Sequence, residues 1–175
     1  MKSLVGNLAG LWGIGGVVAL LGSAIVRLSR MTAEAIGMGL GAADWLLLVV
    51  FTAFMVYSEG IRGFQRAFSP RVAARARHLR DHPRPHHVLL APLFCMAFFH
   101  ATPVRRRTTW ILTTGIVCLV WFFRHIPQPL RGILDAGVVA GLVWGLATVV
   151  IFAIRAWIDD DFSADPALPV PMDTT

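Results

Sequence analysis

The chain has 175 residues, 56% of them hydrophobic and only 15% charged, with a mean hydropathy of +0.66. A water-soluble domain carries about a quarter charged residues, so an ordinary soluble fold is excluded. The formal net charge is +6, with Lys2 the only lysine. The cations sit in short segments beside apolar blocks, where topology and anionic lipid account for them, and nucleic acid is not an expected partner.

The first apolar block runs from Leu4 to Val26 and is rich in glycine. A signal peptide competes with a membrane span here, because Lys2 precedes the block and Gly22-Ser23-Ala24 follow it. The apolar core is longer than a signal sequence requires, which favours the span. Residues 27–43, with Arg27, Arg30 and Glu34, read as a short interfacial connector.

A second block opens at Asp44-Trp45 and runs through Tyr57, then on to Ser69-Pro70, where a cap followed by proline predicts a fresh helix start. The stretch from about 66 to 86 is basic. On a helix Arg71, Arg75, His78 and His82 share one face and Val72, Ala76 and Leu79 the other, which predicts a helix lying on an anionic cytoplasmic membrane surface.

The third block, 87–102, has an uncharged core shorter than a bilayer requires and contains Pro92. It is expected to be re-entrant or interfacial. The fourth block follows Arg105-Arg106-Arg107 and spans Thr109–Phe123, and the fifth runs Ile133–Trp157. An acidic, proline-rich tail from 159 to 175 is expected to be disordered.

Charge placement separates two topologies. If 87–102 does not cross, Lys2, the seven arginines from Arg62 to Arg84, Arg105 to Arg107 and Arg155 share one side: 12 cations against 4. If it crosses, the split is 10 against 6. The positive-inside bias favours the first arrangement. The expected fold is therefore an all-α integral membrane protein with four transmembrane helices plus a re-entrant segment, five helices being the alternative. Both termini are placed in the cytoplasm of a bacterial inner membrane.

Four groups of residues are candidates for function. Glu59 with Arg62, and Arg131 with Asp135, have helical spacings that suit ion pairs at or within the membrane. His86 and His100, fourteen residues apart, fit one face of a helix, and with His125 they are the candidates for haem ligation. Gly137, Gly141 and Gly145 recur every four residues and form a strip for close helix packing, against the first span or another protein. Cys95 and Cys118 both lie in apolar blocks and read as buried hydrophobes. Hydrolase, metalloprotease, nucleotide-binding and metal-binding motifs are absent from the sequence.

These features favour a non-catalytic membrane subunit, scaffold or assembly factor, with a membrane-protein partner or a second copy of itself. The alternatives are a small transporter or channel component using Glu59 and Asp135, and a haem-binding or lipid-modifying protein using His86, His87 and His100.

Overall fold

The computed structural model describes residues 4–159 and 161–169. Among them every regular element is helical. Helix α1 spans Leu4–Gly37 and α2 spans Ala42–Met55, which continues as a π-helix over Val56–Phe68 and then as α3, Ser69–Asp81. Two single-turn helices follow, α4 (Pro85–Leu89) and α5 (Ala91–Cys95), then the long helices α6 (Pro103–Phe123) and α7 (Leu130–Ile158).

Three helical stretches are long and apolar enough to cross a membrane: Leu4–Gly37, Ala42–Asp81 and Leu130–Ile158. The sequence led us to expect four. The fourth candidate, α6, has 21 residues and so about 31 Å of length, but its arginine triplet and its threonines at 108, 109, 113 and 114 dilute its apolar character.

The connector expected over residues 27–43 is mostly helix. α1 continues to Gly37, and the break is confined to residues 38–41, where Gly39 takes a left-handed φ of 82°. The Gly41 amide donates to the Asp44 carboxylate at 3.1 Å to start α2.

The helix start predicted at Ser69-Pro70 is not a start. The amide of Ser69 donates to the Phe64 carbonyl, five residues back, so the π-helix leads straight into α3. The Ser69 hydroxyl caps nothing; it pairs with Thr148 Oγ1 of α7 at 2.9 Å.

α7 is the central element. The strip Gly137, Gly141 and Gly145 receives the second helix, with Phe51 against Gly137, Glu59 against Gly141 and Phe64 against Gly145. The packing partner of that strip is therefore internal, and it is not the glycine-rich α1. The glycines of α1 instead accept Trp157 and Ala76 at Gly10, Cys95 and Ala91 at Gly13, and Pro92 at Gly16.

These contacts fix directions. Gly10 meets Trp157 and Ala35 meets Gly132, so α1 runs antiparallel to α7. The order Phe51–Gly137, Phe64–Gly145, Ser69–Thr148 and Arg80–Trp157 makes the second helix parallel to α7. Residues 82–129 must therefore carry the chain from one end of the bundle back to the other.

The basic segment also differs from expectation. α3 does not lie on a surface: Val72, Ala73, Ala74, Arg75, Ala76, Leu79 and Arg80 are all buried, between α1, α7 and α5. Three alanines let neighbouring backbones come close, and the charge of Arg75 is met from within the protein, as described below.

The glycine contacts predict graded costs of substitution. A methyl group at Gly145 would lie 2.5 Å from Cγ of Phe64 and one at Gly137 2.6 Å from Cδ1 of Phe51, but one at Gly141 finds 3.5 Å. Gly145→Ala and Gly137→Ala should each cost about 1–3 kcal/mol through overpacking, and Gly141→Ala under about 1 kcal/mol. Thermal melts in mild detergent measure this; equal costs at all three positions would contradict the packing.

Candidate functional site: an arginine-lined chamber and the loop beside it

Residues 85–101 do not form the single helix that would carry His86 and His100 on one face. Pro85 and Pro92 each open a one-turn helix, and the chain between them breaks at Leu90. It then doubles back through Ala97 and His100, both with left-handed φ, at 65° and 48°. Non-glycine residues take such angles only where surrounding contacts enforce them.

Those contacts converge on Arg75, which is 1% exposed. Its Nε donates to the Phe94 carbonyl at 2.6 Å, Nη1 to Pro166 at 2.8 Å, and Nη2 to Phe99 and His100 at 3.0 Å each. The guanidinium also stands 4.2 Å from the ring centroid of Phe94. One side chain of α3 thus gathers the loop and the tail. The tail, expected from composition to be disordered, is further held by Thr102, whose amide donates to the Ala167 carbonyl at 3.0 Å. Residues 170–175 lie outside the described part.

Three of the histidines meet in this loop. The His87 ring lies 4.3 Å from His86, 4.7 Å from His100 and 4.7 Å from Phe94, centroid to centroid. His125 sits beyond the far end of α6, where its Nδ1 lies 2.9 Å from the Trp121 carbonyl oxygen. The length of α6 therefore separates it from His100. Among the described residues no group of three or more His, Cys, Asp or Glu is arranged to hold a metal ion. Burial, then the neighbouring His86, His100, Arg84 and Arg75, lowers the His87 pKa from 6.5 to about 4. Burial pushes the Cys95 thiol up to about 12 against the opposing pull of Arg75, which leaves it an unreactive hydrophobe. Cys118 is exposed on α6, contrary to the expectation that both cysteines are buried.

The ion-pair candidates separate. Arg131 and Asp135 approach to 3.7 Å at the start of α7. Glu59 makes no such pair with Arg62, because π-winding places one more residue in each turn and positions three apart no longer align. Glu59 packs against Gly141 instead, six residues or about 9 Å along α7 from Asp135.

A chamber of about 420 Å³, open to the surroundings, is lined by Arg66, Arg71, Thr102, Arg105, Thr108 and Asp165 among others. A second space of about 10 Å³, the size of one water, lies deeper between Arg71, Arg75 and Arg105. The Nε atoms of Arg71 and Arg105 are enclosed without a hydrogen-bond partner. Sequence reasoning missed this chamber.

Protein-family models, curated proteins and solved structures offer no match to this chain.

Two outcomes follow from the loop. Arg75→Met leaves four carbonyls without their donor and should cost about 3–5 kcal/mol. Limited proteolysis near 161–169 should accelerate with it, and an unchanged cleavage rate would contradict the anchoring role. His87 is neutral in the fold but protonates in the unfolded chain below about 6.5. Its contribution is complete above that pH and disappears as pH falls towards 4. A His87→Gln melt should accordingly vary less between pH 7 and 4 than the parent's, and parallel curves would refute the assignment.

Proposed function

We propose that this chain is a non-catalytic subunit or assembly factor of a membrane complex, and that α6 is the helix it presents to a partner protein. The observation that carries the reading is the solitude of α6. Among the described residues every other long helix packs along a neighbour, whereas none packs along α6. Trp110, Ile111, Leu112, Val117, Trp121 and Phe122 all face outward from it.

Apolar exposure in a bilayer requires only lipid, so it does not itself call for a protein partner. The middle of α6 adds a more specific feature. Thr114, Gly115 and Cys118 form a small-residue face, and the space beside Gly115 is open. Small residues permit backbone-to-backbone approach between membrane helices. The equivalent surface on α7 is already filled by Phe51, Glu59 and Phe64.

In this proposal α6 is the fourth span. It takes the chain back across the bilayer while 85–101 enters and leaves on one side, which puts both termini on the same face. Cytoplasmic termini in a bacterial inner membrane follow from the weight of arginine on that face. The partner is a membrane protein, with a second copy of this chain as the homo-oligomeric form of the same idea.

A photo-crosslinking residue at Ile116, combined with mass spectrometry of the complex purified in mild detergent, tests the reading. A defined protein adduct is expected, and Gly115→Leu should reduce it about tenfold without lowering the level of this chain. Crosslinks to lipid alone, with the chain recovered as a monomer, would sink the subunit reading.

A further inference from the structure

The arginine chamber takes no part in the docking of α6, and its chemistry points elsewhere. We propose that it binds a phosphate group, presented as the head group of an acidic phospholipid or as free phosphate, and that Asp165 of the tail occupies the site in its absence. Three guanidinium side chains, Arg66, Arg71 and Arg105, line the space, and Asp165 is the single carboxylate among its lining residues. Three positive charges against one negative leave two uncompensated.

The donors come from separate elements: Arg66 from the π-helix, Arg71 from α3 and Arg105 from α6. A planar carboxylate satisfies one guanidinium fork well, whereas a phosphate oxygen set can accept from several directions at once. The Nε atoms of Arg71 and Arg105 have no hydrogen-bond partner within the fold. At about 420 Å³ the chamber has the size of a small-molecule site.

Asp165 is placed to compete. Its Oδ1 accepts from the Ala167 amide at 2.7 Å, which turns the tail so that Ala164, Asp165 and Ala167 wall the chamber. The adjacent Pro166 carbonyl is held by Arg75. The tail is therefore tethered beside the site independently of the carboxylate, and an anion can replace the Asp165 charge without detaching the strap. Val104, exposed at the base of α6, lies on the same rim and offers an apolar surface where an acyl chain would leave the chamber.

The test uses the full-length protein in a non-ionic detergent, titrated separately with phosphatidylglycerol, phosphatidylcholine and sodium phosphate, with melting temperature as the readout of binding. Phosphatidylglycerol should raise the melting temperature, and Asp165→Asn should lower the apparent Kd about tenfold by removing the competitor. Arg66→Gln, on an exposed part of the wall, and Arg105→Gln should each weaken binding about tenfold. Stabilisation by phosphatidylglycerol but not sodium phosphate identifies a lipid head group, and stabilisation by both identifies the phosphate itself as sufficient. No shift with either ligand would overturn the proposal. So would an equal shift with phosphatidylcholine, or a shift unchanged in both arginine variants.

Discussion

The fold is organised around the burial of one charge. Desolvating the Arg75 guanidinium costs several kcal/mol. Hydrogen bonds to four carbonyls and the face of the Phe94 ring offset that penalty. The interaction also supplies geometric definition. The acceptors are backbone carbonyls at Phe94, Phe99, His100 and Pro166, so the loop and tail can bond Arg75 only in the conformation that brings all four together. The left-handed angles at Ala97, His100 and Ala167 all fall in these two segments, as expected if convergence on the guanidinium holds them.

A second constraint acts along the helix that carries Arg75. Its π-wound stretch, Val56–Phe68, faces α7 through Gly60 and Phe64. The winding changes which residues face α7 over the distance between Phe51 and Ser69. It allows Phe64 to seat on Gly145 while Ser69 still reaches Thr148. The same winding moves Glu59 out of register with Arg62, and the Glu59 Cβ packs against Gly141.

The helices were legible in the sequence because apolar blocks of bilayer length are hard to mistake, and the four-residue glycine repeat in α7 identified a packing surface. Its partner was not legible, since small residues say that something approaches closely but not what. The segment 66–86 was misread for a different reason. Helical periodicity separates charged from apolar faces on the premise that charge faces solvent, and Arg75 breaks the premise by finding its acceptors in carbonyls 19 to 91 residues away. Carbonyls have no sequence signature. The histidine spacing failed similarly: fourteen residues align on a helix only if the helix is continuous, and Pro92 follows a break at Leu90. The chamber lay beyond reach because its arginines come from three elements that local patterning does not connect.

In the proposed topology residues 85–101 enter and leave at one end of the bundle and α6 makes the return. Single cysteines at positions 82, 104 and 126, in a chain with Cys95 and Cys118 replaced by alanine, test it with a membrane-impermeant thiol reagent on intact cells and on inverted vesicles. In that topology positions 82 and 104 react from the same side and 126 from the other. Labelling of 82 and 104 from opposite sides, or of 104 and 126 from the same side, would contradict it.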